Sequence, residues 1–278
     1  AIAMALANKT YKSVHVPDKD DLNVREYLRM RNAHKDAVKK VKQQILAFLL
    51  RQGIKYSATN WTKAHITWLH GLKFDHVLLK ETLDEYITSL ENYTAKLERL
   101  DKRIGEFAQG DKYQEKVAEL GCLLGIKTQA AMTMISEISD FSRFRTASEF
   151  ASFLGLVPGE NSSGEKTQRT SITKSGNSQC RKTLIEAAAG ICRGKVGHKS
   201  KELQRRQALC NNPIAISYAD RANERLRSKF YRLNLRNKKP ANVAKTAVAR
   251  ELACFIWGIM TDTYDGKVPR SDEYALGK

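Results

Sequence analysis

The chain has 278 residues, 42% of them hydrophobic and 28% charged, with a formal net charge of +18. This length and apolar share exclude a small disulfide-stapled domain and wholesale disorder, and apolar runs such as residues 45–50 fall far short of the roughly 20 residues that span a membrane. Residues 1–7 are apolar but lack the basic start and the length of a signal peptide, and five cysteines without a C-x-x-C pair point to a reducing, cytoplasmic setting.

Residues 1–56 open on a short helix-like stretch. Val14-His15-Val16-Pro17 then reads as extended chain, because proline disfavours the α region in its predecessor. Asp18, Asp20 and Asp21 stand where a helix starts. The same carboxylates could in principle hold Mg²⁺, although capping is the simpler role. Val24, Leu28, Val38, Val41, Ile45 and Leu49 recur at helical spacing up to a stop at Gly53. Residues 57–111 carry the clearest periodicity. Leu83, Leu90, Leu97 and Ile104 repeat every seven residues, with Leu79, Tyr86, Tyr93, Leu100 and Phe107 at the second seam position. The repeat predicts a coiled-coil arm, formed either between chains or as a helical hairpin within one.

Residues 112–265 make the third expected segment, followed by a loose tail over 266–278. Residues 120–127 have the apolar–apolar–Gly–apolar–Lys form of a helix-hairpin-helix, whose turn offers backbone N–H groups to a phosphate. Gly125 and Lys127 would make that contact, unless Gly125 is an ordinary helix stop. Thr146 and Glu149 are spaced as a capping box for a short helix that Gly155 closes. Residues 159–177 read as a long polar loop with Lys166, Arg169 and Lys174 as its cations. Helical patterns return over 179–192, 218–233 and 241–264.

The positive charge is segregated. From Lys166 to Arg250 there are 21 Lys and Arg against 4 Asp and Glu, and the remaining chain carries a net charge of only +1. Such a segment favours a polyanion through counterion release and steering. Lys166, Arg169, Lys174, Arg181 and Lys182 in and after the loop, with Arg225, Lys229 and Arg232 further on, are the candidate nucleic-acid contacts. The six histidines show no zinc-like spacing with cysteine, and His65 and His70, close to Trp61 and Trp68, read as packing residues. Ser162 and Ser163 are possible nucleophiles, but a serine hydroxyl needs a base or metal for its proton, and the loop offers only Glu160 and Glu165. By spacing alone, each is an ordinary loop serine.

A resemblance gives these serines a role. Phe153-Leu-Gly-Leu-Val-Pro158, Ser162-Ser163-Gly164, Ile172-Thr-Lys174-Ser-Gly176-Asn177, Arg181, Leu184 and Ala187-Ala188 follow Gly125-Ile126 and Arg143-Phe144. In order and spacing this series resembles the insertion-sequence transposases and Piv-type DNA invertases. That family joins a DEDD, RNase H-like nuclease domain to a serine domain, and several members are directed by a structured bridge RNA. The likeness covers the chain in outline and residues 120–189 in detail. It implies that Ser163, five residues after Pro158, attacks a DNA phosphodiester to form a phosphoserine bond; Ser162 is the alternative, one alignment gap away. It also implies Mg²⁺ held by the family's carboxylates, DNA and a guide RNA as partners, and a homo-oligomer. The last two family acids form an Asp-x-x-Asp pair before a helix that residues 1–7 resemble. The chain is therefore expected to begin after that pair, and no metal ligand is assigned.

The resulting expectation is a mainly α protein. Residues 1–56 would be the remnant of an RNase H-like α/β domain, residues 57–111 a coiled-coil arm, and residues 112–265 a helical serine domain containing the helix-hairpin-helix-like segment. The expected function is DNA transposition or site-specific recombination. The alternative is a nucleic-acid-binding module without chemistry of its own.

Overall fold

The computed structural model of the chain describes residues 2–8, 15–162 and 168–264. Ser163, Lys166 and the tail over 266–278 lie outside the described residues. Within the described residues the fold is mainly helical, with two short strands, and no helix is long and apolar enough to cross a membrane. The chain divides into two compact units, residues 26–114 and residues 1–25 with 115–278.

After α1 (Ile2–Ala7), the long helix α2 (Lys19–Arg51) runs through that division. Asp18 opens it by accepting the Asp21 N–H at 2.8 Å. Asp21 is buried and accepts the Ser139 hydroxyl. Two of the three aspartates thus act in capping and packing, and among the described residues no group of three or more His, Cys, Asp or Glu could hold a metal ion. The other end of α2 closes in a Schellman turn, with Ile54 N–H on the Leu49 carbonyl at 2.9 Å and Gly53 N–H on the Leu50 carbonyl at 3.1 Å.

The smaller unit consists of the C-terminal part of α2, α3 (Lys63–His70) and α4 (Val77–Phe107). Its core joins Val41, Ile45, Phe48 and Leu49 of α2, Leu69 of α3, and Leu83, Ile87 and Leu90 of α4. The two long helices run antiparallel. Arg31 forks onto Asp101 at 2.7 and 3.0 Å, His34 faces Tyr93 with ring centroids 6.3 Å apart, and Phe48 faces Tyr86 at 6.2 Å. The heptad leucines Leu83 and Leu90 therefore pack within the chain. Ile87, which is off the expected seam, is also buried, whereas Leu97 is only half-buried. A helix facing two others needs a wider apolar stripe than a two-position seam. For the same reason this unit crosses the segment boundary expected near residue 56: α2 supplies half of its core. Buried His65 accepts the Trp61 N–H on Nδ1 at 3.1 Å and stacks on Trp68, and burial lowers its pKa, so the ring is neutral.

The larger unit holds α5 (Gln114–Gly121), α6 (Thr128–Ile138), α7 (Ala147–Phe153), strands β1 (Pro158–Glu160) and β2 (Arg169–Ile172), α8 (Ser178–Ile191), α9 (Lys201–Ala208), α10 (Pro213–Tyr231) and α11 (Ala241–Met260). A short π-helix, Arg232–Arg236, continues α10. Every residue of α6 from Ala131 to Ile138 is buried. Helix α11 packs on α7, α8 and α10, and α6 packs on α8. Buried alanines at 187 and 188 in α8 and at 244, 249 and 253 in α11 let these helices approach closely. Within the segment 159–177, read from sequence as a loop, the described residues instead form the two antiparallel strands of a β-hairpin, with Pro158 opposite Ile172 and Glu160 opposite Arg169. Its pairing continues to the base, where Thr173 N–H meets the Val157 carbonyl at 3.0 Å and Lys174 N–H meets the Gly155 carbonyl at 3.2 Å. These bonds satisfy the backbone of the two polar strands locally.

Candidate nucleic-acid and serine site

Ser162, the one candidate serine among the described residues, follows strand β1. Asn161 N–H donates to the Gln168 carbonyl at 2.8 Å, closing the last described rung. The Ser162 hydroxyl donates to Glu160 at 2.7 Å and accepts the Gln168 N–H at 3.2 Å. Ser162 is thus a latch across the two strands, and Ser163 follows it directly in the chain, outside the described residues. Arg169 lies on β2, where its backbone pairs with Glu160. The other possible nucleophiles are poor ones. All five cysteines are free and buried, and burial pushes the Cys122 thiol up to about 12 and those of Cys192 and Cys254 up to about 11, so each stays protonated.

Below the tip, residues 172–177 join the hairpin to the helices. Gly176 has φ +76°, and a Cβ there would fall 1.8 Å from the Phe153 carbonyl oxygen, so only glycine permits this crossing of two backbones. Asn177 caps α8 by accepting the Cys180 N–H at 3.0 Å, while its amide donates to buried Glu137 of α6 at 2.7 Å. Arg181 donates to the carbonyls of Leu154 and Ser175, both at 2.9 Å. Its guanidinium therefore buckles the hairpin base to α7. Lys174 and Lys182 are exposed beside this joint, one at the hairpin base and the other on α8.

The turn at Gly125 faces inward as well. A Cβ on Gly125, at φ +79°, would lie 2.4 Å from the Ala187 carbonyl oxygen of α8. Leu124 N–H donates to Asn223 of α10 at 2.7 Å, Asn223 returns a bond to the Cys122 carbonyl at 3.1 Å, and Arg206 of α9 holds the Ile126 carbonyl. Ile126 N–H is taken by the Leu123 carbonyl at 3.3 Å. These groups knit α5 and α6 to three other helices. Lys127 lies at the surface and pairs with Glu202 at 2.7 Å.

Of the three cations proposed further along the chain, two are engaged by one buried carboxylate, although Arg225 itself is 44% exposed. Glu251 of α11 is buried and is gripped by Arg225 and, at 2.6 Å, by Lys229. Arg232 alone of the three is exposed without a carboxylate partner among the described residues. Sequence reasoning missed Glu137, Asn223 and Glu251, which hold this architecture together. Glu137 did leave a signal, as the lone acid in the otherwise uncharged helix 128–138.

Comparisons with known proteins fit this geometry. Residues 119–203 match the family described as Transposase IS116/IS110/IS902 family. The chain is 33% identical over 260 residues to the Sinorhizobium fredii protein called "Putative transposase y4qE", covering 93% of this chain and 62% of that one. It is 30% identical over 227 residues to the transposase for insertion sequence element IS1533 of Leptospira borgpetersenii, covering 80% and 64% of the two chains. The chain thus spans a little under two thirds of the length of these relatives. Residues 119–203, which contain the Gly125 turn, the paired strands and their welded base, are the part of the chain that is similar to the IS116/IS110/IS902 transposase family.

Proposed function

We propose that this chain is the nucleic-acid-binding and serine-bearing part of a DNA transposase. The observation that carries the reading is the family match over residues 119–203, which includes two paired strands, Ser162 bridging them, and a base locked by Gly176, Asn177 and Arg181. In the proposed step the Ser163 oxygen attacks a DNA phosphorus. A bond forms between phosphorus and Oγ, the bond from phosphorus to the leaving strand's oxygen breaks, and the serine proton ends on that oxygen. The phosphoserine link keeps the bond energy for rejoining a strand. Ser162, already engaged on both sides, positions its neighbour; its contact with Glu160 makes it the second nucleophile to test. Residues 1–56 as an RNase H-like remnant, a guide RNA and a homo-oligomer belong to the same proposal by resemblance. Mg²⁺ is the family's cofactor, but the described residues do not fit it: Asp18 caps a helix, Asp21 is closed off by Ser139, and no other cluster offers three donors.

The second reading, a binding module without chemistry of its own, is favoured by the net charge alone, with 21 Lys and Arg against 4 acids between Lys166 and Arg250. Incubation with DNA flanking the chain's own coding sequence, followed by denaturing electrophoresis and mass spectrometry, separates the two. The full-length protein should give a DNA adduct on Ser163 that Ser163→Ala abolishes while binding persists. An adduct retained in Ser163→Ala but lost in Ser162→Ala would move the role to Ser162. Salt-sensitive binding with no adduct in any variant would leave the binding module.

A further inference from the structure

The connection between α10 and α11 lies outside the family-matched segment, and the sequence from Arg225 to Arg250 contains nine Lys and Arg and no Asp or Glu. The structure sorts these cations. Lys229 turns inward to Glu251, and Arg225, still partly exposed, pairs with the same carboxylate. Arg227 is buried and donates to the carbonyls of Ile191, Lys195 and His198, the first at 3.2 Å. Arg232, Arg236, Lys238 and Lys239 are all exposed, and none is paired with a carboxylate among the described residues.

These four do not sit on a loose loop. The π-helix wraps Arg232–Arg236, and Asn237 N–H closes onto the Arg232 carbonyl at 2.9 Å. Lys239 N–H reaches back to the Leu233 carbonyl at 2.9 Å, and the Asn234 amide donates to the Lys239 carbonyl at 3.0 Å. Lys238 adopts φ +49° to allow this reversal. Residues 232–239 therefore fold into one hydrogen-bonded knuckle that carries four exposed cations within eight residues. Such a gathering repels itself unless an anion relieves it. π-Helical turns are also frequent at functional sites. Arg225, Arg227 and Lys229 tie the end of α10, from which the knuckle continues, to α8 and α11.

We infer that Arg232, Arg236, Lys238 and Lys239 form a phosphodiester clamp that grips the backbone of a nucleic acid without reading its sequence. This rests on the polyanion reading above and gives it a location. Lys229, held by buried Glu251, belongs to the scaffold of the clamp.

The test is a salt titration of binding by the full chain to a mixed-sequence DNA duplex and, separately, to a single-stranded RNA. Replacing all four cations with Gln should reduce the slope of log affinity against log salt by about 3, at roughly 0.7–0.9 per phosphate contact. A control removes the same charge from exposed positions of the smaller unit, Lys39, Lys40, Lys63 and Lys73, and should change the slope far less. A third variant, R232K/R236K/K238R/K239R, should restore the native slope, which separates charge from misfolding. Loss on the duplex, on RNA or on both supports the clamp and identifies which backbone it holds. A four-Gln variant that loses no more slope than the control overturns it, even if native binding is strongly salt-dependent. Native binding without salt dependence would instead overturn the polyanion reading itself.

Discussion

The two units of the molecule bury different things. Among the described residues of the smaller unit, His65 is the one buried polar side chain, and the core is otherwise aliphatic and aromatic. The larger unit buries Asp21, Glu137, Glu251, Asn223 and Arg227 with the partners described above, and Glu119, which accepts from the Asn212 amide and pairs with Lys116 at 3.0 Å. A core of the first kind needs only matching stripes. One of the second kind must supply a partner for every buried donor and acceptor, and leaving one unmade is costly. The larger unit is the one whose segment matches the transposase family, and its buried acids also hold part of the cationic segment away from solvent.

The sharpest way to break this comparison is to make the same substitution in both units. Glu251→Gln strands Lys229, whose side chain is 12% exposed, and loosens Arg225. It should cost about 3–5 kcal/mol, as expected when one member of a buried pair is removed, and urea unfolding would measure it. A loss below about 1 kcal/mol would mean that the larger unit does not depend on its buried charges.

Next in size is the apolar core of the smaller unit. Leu90→Ala should cost about 2–4 kcal/mol, since Leu90 is 4% exposed. Leu97→Ala, at a half-buried heptad position, should cost clearly less by the same unfolding measurement. Equal losses, accompanied by a fall in oligomer mass by light scattering, would show that the heptads also serve a contact between chains.

The smallest effect expected is that of Glu106→Gln in α4. The Arg103–Glu106 pair is close, at 2.8 Å, yet both side chains are about half exposed, at 57% and 49%. An exposed pair one helical turn apart contributes less than about 0.5 kcal/mol, so the unfolding midpoint should barely move. A shift comparable with that of Glu251→Gln would erase the distinction between the units.

By itself, the sequence determined that the chain is mainly helical, that α2 stops at Gly53 and that α4 is the longest periodic stretch. It also showed that positive charge gathers from Lys166 to Arg250. These are local properties: an apolar repeat, a cap and a charge sum need no partner to be legible. The tertiary structure alone decided what those residues face. A heptad repeat does not say whether its partner is another chain or, as for Leu83 and Leu90, α2 of the same one. The polar run 159–177 hid its paired strands because they are only three and four residues long and carry no alternating apolar pattern. Arg181, Arg225 and Lys229 looked like phosphate contacts because a cation reads the same in sequence whether it meets solvent or a buried acceptor. Their acceptors, the Leu154 and Ser175 carbonyls and Glu251, lie from 6 to 27 residues away in the chain for each bond formed and come within reach only when the helices pack.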